Sequence, residues 1–504
     1  MRREAASPRP ARSPLAGARP LILARATAAA VAVMLPLVLV RRLDQEDYGT
    51  YKQLFMIAQT IYYVVPLGLP QSLYFFLPRA REGRPYLFQT LVFLTGIGAL
   101  ASLALVAGAN RIGAWLNSPD LARHAPALAV YLFGTVCSSP LEISLTARGR
   151  TRLSSLFYLG SELFRTAAMT LPALLGMGLS GVMDGIAVFG LLRVALTWAL
   201  VPWGAQGPWA NRGALFEQLR YALPFGAAMA LGVPQGYFHQ YAVSAHVSAA
   251  VFAVYAVGLF QVPFVDLLHS PTTEVLMVAL GELDREGRRS ESADVYRSAS
   301  SRLAYAFIPM VVFLEVAAPQ FISALFTDRY LAAVPIFRIA VASTLFAIFP
   351  LEGVLRARGE TVYILKSNVA KALVTVPLVL LGVRTLGMAG AIAAWLACEL
   401  VGRGILLARL PRILGAKLVM LFPWKELARA AAASLLAAAA MSIAYAVYAG
   451  RAPAAAGGRP IAALALCTGS FGLGYIAALL LVGARTPFAI LGLKRAPGDQ
   501  ALAR

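Results

Sequence analysis

Charge is what this chain of 504 residues lacks most: Asp, Glu, Lys and Arg together make up 14%, against 59% hydrophobic residues. A soluble domain usually carries about a quarter of its residues charged, and the mean hydropathy of +0.69 excludes that class. Cysteine is nearly absent too. Cys137, Cys398 and Cys467 stand apart within apolar stretches and form no CxxC pair, which excludes a disulfide framework, a structural zinc site and a thiol redox centre. Long polar segments are missing as well. The longest connections between apolar stretches are 281–297 and 409–426, which leaves no room for a soluble domain.

What is present is a succession of apolar stretches near twenty residues long, the length at which about 1.5 Å per residue crosses about 30 Å of hydrocarbon. They predict helical spans near 20–40, 50–77, 86–109, 125–146, 153–176, 182–203, 221–243, 249–280, 298–326, 335–355, 363–382, 388–408, 427–449 and 460–483. The fold class is therefore an all-α polytopic membrane protein with about fourteen transmembrane helices. An even number of spans puts both termini on one side. Segments on that side hold roughly 28 Lys and Arg, against about 8 in the opposite loops, so both termini are expected in the cytoplasm. The net charge of +21 reads as this topology signal, with no nucleic-acid partner. Residues 1–19 are rich in Arg and Pro and read as a disordered cytoplasmic segment. The first span has no cleavage site and reads as an uncleaved anchor, and 484–504 reads as a cytoplasmic tail.

One string occurs twice. PLEISLTARGRT at 140–151 and PLEGVLRARGET at 350–361 agree at eight of twelve positions. Tyr51 and the REGR of 81–84 likewise recur as Tyr255 and the REGR of 285–288, at an offset of 204 against 210 for the first pair. Two echoes at nearly one offset predict parallel repeats. The expected domains are an N-lobe of spans 1–6 over 20–203, a C-lobe of spans 7–12 over 221–408 with a central cavity between them, and an added helix pair over 427–483. In the corner itself, Pro140 and Pro350 loosen the helix before its end, and Gly149 and Gly359 permit the turn. Glu142 and Glu352 read either as carboxylates that snorkel to the headgroups or pair with a loop arginine, or as protonation and gating groups.

The stretch LVRRLDQEDYGTYKQLFMIAQTIYYVVPLGLPQSLYFFLPRA at 39–80 carries Arg42, Leu43, Asp47, Tyr48, Gly49, Tyr51, Leu67, Gly68 and Leu69 in a pattern that resembles the opening of the polysaccharide-biosynthesis flippases of the multidrug/oligosaccharidyl-lipid/polysaccharide exporter superfamily. LRYALPFGAAMAL and VFAVYAVGLFQV resemble the start of that family's second half, with Ala253 where a Gly commonly precedes the Tyr. The resemblance implies alternating-access transport of an undecaprenyl-diphosphate-linked oligosaccharide across the bacterial inner membrane for surface polysaccharide assembly. It also implies membrane lipids and other polysaccharide-assembly proteins as partners, no cofactor, and Na⁺ or H⁺ as the candidate coupling ion.

An anionic diphosphate needs cations in a wet cavity. Arg165, Arg193, Lys371 and Arg403 fall within spans, and Arg25 and Arg338 lie nearer span ends, where snorkelling is the ordinary alternative. SELFRTAAMTLP at 161–172 and SNVAKALVTVP at 367–377 align Ser161 with Ser367 and Arg165 with Lys371. That match makes Arg165 and Lys371 joint candidates for the diphosphate. Against it, Glu162 with Arg165 and Glu399 with Arg403 have the spacing of self-neutralising helical pairs that serve packing alone, while Lys371 has no acidic residue in its own span.

Asp184, Asp266, Glu274 and Glu315 are the remaining acidic groups within spans. Asp266 and His269, before Pro271, form the most polar cluster and the candidate ion-coupling site. Tyr62, Tyr63, Tyr74 and Tyr237 read as interface anchors or sugar-stacking groups.

A multidrug/toxin cation antiporter of the same superfamily is the nearest alternative, and the span cations speak against its carboxylate-rich cavity. A polytopic ligase or polymerase is the enzyme alternative. The longest loop opposite the termini, about 110–124, offers it only Arg111, Asp120, Arg123 and His124, with no metal cluster, nucleophile motif or phosphate loop, so the protein reads as no enzyme. A non-transporting scaffold is the third alternative.

Overall fold

The computed structural model describes residues 14–204, 206–451 and 460–482. The N-terminal segment to residue 13 and the tail from 483 lie outside the described residues, as does the side chain of Arg25. Among the described residues there is no strand. Among the described residues eight helical segments are long and apolar enough to cross a membrane, which makes this a multi-pass membrane protein.

The chain forms two compact units. One comprises residues to Leu43, Leu54–Ala114 and Pro119–Ala230; the other comprises Asp44–Gln53, Trp115–Ser118 and the chain from Leu231. The boundary runs through helices.

In the first unit, α1 (Pro14–Arg42) packs along α7 (Thr151–Leu174), and α7 packs on α8 (Gly178–Leu200). Between α1 and α7 in sequence come α2 (Gln45–Val64), α3 (Leu69–Phe76), α4 (Arg84–Trp115), α5 (Leu121–Ser138) and α6 (Pro140–Ala147). The span expected over 50–77 is broken between α2 and α3. Pro66 cannot donate a backbone hydrogen bond, and Gly68 takes a left-handed φ of 74°.

α9 (Arg212–Ser244) passes from the first unit to the second. The second unit continues through α10 (Ala249–Gly258), α11 (Phe264–Arg285), α12 (Ser292–Val316), α13 (Ala318–Phe326), α14 (Val334–Ala342) and α15 (Leu351–Ala357). α16 (Thr361–Leu414) and the short α17 (Leu418–Leu421) follow, then α18 (Trp424–Arg451) and α19 (Pro460–Leu481), which pack together. Here too an expected span, 249–280, is interrupted, by residues 259–263 with Pro263 before α11. The span over 335–355 divides into α14, a 3₁₀ stretch Ser343–Ile348 and α15.

α16 is two helical arms. Gly387, at φ 60° and ψ −137°, reverses the chain, and the backbones of Gly382 and Gly390 meet so closely that neither leaves room for a Cβ. This reversal brings the arms face to face. α18 and α19 pack through small residues, with Ala437, Ala438 and Met441 against Cys467 and Phe471. Cys137, Cys398 and Cys467 are buried free thiols.

The repeated string ends in the same turn in both units, though its prolines differ in place. Pro140 opens α6 and Pro350 caps α15; Gly149 and Gly359 turn the chain at φ 75° and 71°. Leu141 and Leu145 are buried in an apolar cluster with Leu73, Leu87 and Leu91. Leu351 and Leu355 are buried with Leu276, Leu280 and Leu406. Each corner is a short amphipathic helix that sinks its leucines and turns its glutamate to a polar cavity.

Candidate functional site: one charged cavity in each unit

In the first unit, α5 to α8 and the C-terminal part of α2 enclose a cavity of about 380 Å³. Arg193 on α8 forks onto the carboxylate of Glu142 on α6, with Nη2 to Oε2 at 3.1 Å, and donates through Nη1 to Ser161 Oγ at 2.6 Å. Its Nε donates to Ser138 Oγ at 3.2 Å. Arg165 pairs with Glu162 one turn back on α7, with Nε donating to Oε2 at 3.2 Å, and Tyr131 lies beside it. Tyr62 and Tyr63 line the same space. Two arginines thus face two glutamates, and the cavity is neutral.

The second unit repeats the cast on α11, α15 and both arms of α16, around about 360 Å³. Lys371 on the first arm donates to Glu399 on the second, Nζ to Oε1 at 3.1 Å. Ser367 Oγ donates to the Gly402 carbonyl at 2.9 Å. Gly402 leaves little room for a side chain: a Cβ there would stand 2.6 Å from Lys371 Cδ and 2.9 Å from Ser367 Oγ, and one of them would have to shift. Arg403 donates through Nη1 to the Phe346 carbonyl at 2.8 Å and lies over the Phe346 ring, 4.9 Å from its centre. Glu352 is engaged by Arg356, Nη2 to Oε2 at 2.8 Å. Arg356, Lys371 and Arg403 face Glu274, Glu352 and Glu399, with His269 alongside.

These positions correct the sequence reading in several respects. The packing pair Glu162–Arg165 forms as its spacing suggests. Glu399 does not turn to Arg403 on its own arm; it crosses to Lys371, because the reversal at Gly387 stacks the arms. Lys371 therefore has a carboxylate partner that counting acidic residues within its span does not reveal. Glu142 is held by the part-buried helical Arg193 and not by a loop arginine. Arg338 stands apart from both cavities, donating to the Glu315 carbonyl at 2.9 Å with the Glu315 carboxylate 4.0 Å away. Asp266 is exposed and lines neither charged cavity, whereas His269, three residues on, turns Nδ1 to the Ala347 carbonyl at 3.0 Å. The two are not brought together as one ion site. Asp184 is exposed and also lies outside both charged cavities. Sequence reasoning passed over Glu399 as a partner of Lys371, Arg356, Ser138 and Tyr131. The signal for the first was the glycine-flanked turn at 382–390.

Among the described residues no group of three or more His, Cys, Asp or Glu side chains is arranged to hold a metal ion. The arrangement as a whole offers paired donors and acceptors inside apolar helices, suited to holding polar or charged groups without exposing them to hydrocarbon.

The chain is similar in fold to lipid II flippase MurJ in its inward closed conformation, with a TM-score of 0.69 at 13% identity over 94% of this chain and 99% of that one. It is also similar to a MATE family multidrug resistance transporter of the MOP superfamily in its inward-facing conformation, with a TM-score of 0.62 at 15% identity over 78% of this chain and 98% of the other. An outward-facing MATE transporter matches at 0.53, with 16% identity over 79% and 95%. At such identities the likeness is one of fold. No curated protein sequence matches the chain. A family model described as polysaccharide biosynthesis protein matches residues 38–335, and since that is more than half of the 504 residues, the chain belongs to the polysaccharide biosynthesis protein family.

Proposed function

We propose that the protein is a flippase that carries an undecaprenyl-diphosphate-linked oligosaccharide from the cytoplasmic to the periplasmic leaflet of a bacterial inner membrane by alternating access. The observation that carries this reading is membership of a polysaccharide biosynthesis family combined with a fold shared with lipid II flippase MurJ. The chemistry is compatible: a diphosphate and its sugars demand polar partners within the bilayer, and buried cations in sizeable cavities supply them. In this reading Arg165 and Lys371, at matched places in the repeat, belong to the path of the anionic headgroup, and the glutamates that hold them serve as counter-ions when it is absent. No bond is made or broken, so no catalytic residue is assigned. Transport against a gradient needs a coupling ion, and Na⁺ or H⁺ at the carboxylates of the cavities would supply it.

Deletion in a strain with no second flippase tests the reading. Lipid-linked units are expected to accumulate on the cytoplasmic leaflet while their synthesis continues; normal surface polysaccharide would refute it. Topology has its own test. Single cysteines at Arg150 and Glu360, in a background without the native three, are expected to resist labelling from outside intact cells, and labelling of either overturns the proposed orientation.

A further inference from the structure

Both repeated turns, the REGR turn and the corner, differ in charge between the two units. Over 79–84 and 148–152 the first unit carries six arginines against one glutamate, whereas over the matching 283–288 and 358–362 the second carries three arginines against three acids. The differences fall where a counter-charge would stand. Asp284, which takes both Arg289 and Arg358, is replaced by Ala80, and Glu360, which takes Arg409, is replaced by Arg150. Arg148, the counterpart of Arg358, is left with the Val201 carbonyl, to which Nη2 donates at 2.8 Å, and the like charge of Arg150 acts on it. Arg79, Arg81, Arg148, Arg150 and Arg152 form no ion pair among the described residues.

The two turns of the first unit make one surface. Leu73 of α3, Leu87 of α4, Leu141 and Leu145 of α6 and Val201 just past α8 share the apolar cluster beneath them, so these arginines stand at one end of the unit. Between them runs the connection 201–211, tied to Arg84 by its Gly207 carbonyl, which accepts from Nη1 at 3.1 Å. It carries tryptophan. Trp198, Phe88, Trp209 and Trp203 form a chain of edge-to-face rings with centres 6.1, 5.1 and 5.4 Å apart. Arg84 lies 4.9 Å from the centre of Trp209, and Trp203, at the end of the chain, is 67% exposed.

We propose that this end of the first unit binds acidic phospholipid headgroups of the adjoining leaflet, with Arg81, Arg150 and Arg152 supplying the charge and Trp203 and Trp209 seating the surface at the interface. Tryptophan settles at the headgroup level of a bilayer, and clustered arginines beside a membrane helix attract anionic lipid. The number of arginines alone serves topology, and the second unit meets that demand with arginines that keep their acids. Loss of the acids from one copy of the repeat leaves charge for a partner to satisfy. The exposed indole lies where the helices of the unit leave the bilayer, which favours a lipid surface over an acidic protein. The site does not rest on the flippase reading.

Native mass spectrometry of the purified full chain tests the surface, with phosphatidylglycerol or phosphatidylcholine of the same acyl chains added. Phosphatidylglycerol is expected to bind about tenfold more tightly, and the preference to fall to about twofold in the triple variant Arg81→Gln, Arg150→Gln, Arg152→Gln. The matched control removes three paired arginines of the second unit, Arg288→Gln, Arg289→Gln, Arg297→Gln. With the same loss of net charge it is expected to keep most of the preference. Equal losses in the two triple variants would show that net charge alone attracts the lipid and would overturn the site, as would the absence of any preference in the unaltered protein. Trp203→Ala is expected to weaken both lipids about threefold and leave the preference intact; binding of both unmoved by it overturns the seating at the interface. A poly-glutamate peptide that displaces phosphatidylglycerol from the unaltered protein but not from the first triple variant would assign the surface to an acidic protein instead. If the first triple variant does not accumulate, salt decides: a preference unchanged up to about 1 M ammonium acetate, where charges act over about 3 Å, overturns the proposal.

Discussion

The cavities of the two units use the same residue types from equivalent places in the repeat and reach different electrostatic arrangements. In the first, Arg193 and Glu142 close on each other with only 12% and 18% of their side chains exposed, and two serines complete the fork. In the second, the corner pair is Glu352–Arg356, half in solvent at 49% and 56%, while Arg403 inside makes no ion pair among the described residues and rests on a backbone carbonyl and a ring. A buried ion pair is costly to break because the survivor remains uncompensated. A cation that forms no direct ion pair leaves no such survivor in hydrogen-bond contact. The arginine of the first cavity is therefore the more tightly held of the two.

The sharpest way to break this comparison is to delete the arginine on each side. Arg193→Gln strands Glu142 and is expected to cost about 3–5 kcal/mol, seen as a large fall in thermal midpoint and abundance, with most of it recovered by adding Glu142→Gln. Arg403→Gln loses a hydrogen bond and a ring contact, about 1–2 kcal/mol. Equal losses would end the claim that the two arginines are differently held.

Next in size is the pocket floor. Gly402→Ala pushes a methyl into Lys371 and Ser367 and is expected to cost about 1–3 kcal/mol. Leu192, which takes that place in the first unit by the same offset, is exposed, so Leu192→Ala is expected to stay within about 0.5 kcal/mol in a detergent melt. A smaller effect should follow from Thr146→Arg, which writes the second unit's corner into the first. If the corner arginine governs the glutamate, the new side chain competes with Arg193 for Glu142 and lowers stability by about 1–2 kcal/mol, and the loss vanishes in the Arg193→Gln background. The least effect is expected from Glu352→Gln, under about 1 kcal/mol, since its pair is solvent-exposed. A loss comparable to that of Arg193→Gln would show that Glu352 is a structural partner of Arg403 after all.

Much of this was legible beforehand. Helical class and membrane residence follow from composition, and the corner could be placed from Pro140, Gly149, Pro350 and Gly359 because proline and glycine act on the backbone locally. The pairing Glu162–Arg165 followed from helical spacing for the same reason. The breaks after Val64 and Gly258 were less visible, because hydropathy runs through them unchanged while Pro66, Gly68 and Pro263 interrupt only the hydrogen-bond ladder.

By itself the sequence determined the solvent in which this protein folds, its helices, and the fact that one charged constellation is written twice. Each of these rests on composition or on contacts between near neighbours in the chain. Only the tertiary structure decided which charge meets which. Glu399 reaches Lys371 because the turn at Gly387 lays one arm of α16 against the other, and Arg193 reaches Glu142 across 51 residues because α6 and α8 wall the same cavity. Ion pairing between helices depends on where backbones come within a few ångströms of each other, and that is set by packing, which no spacing along the chain records.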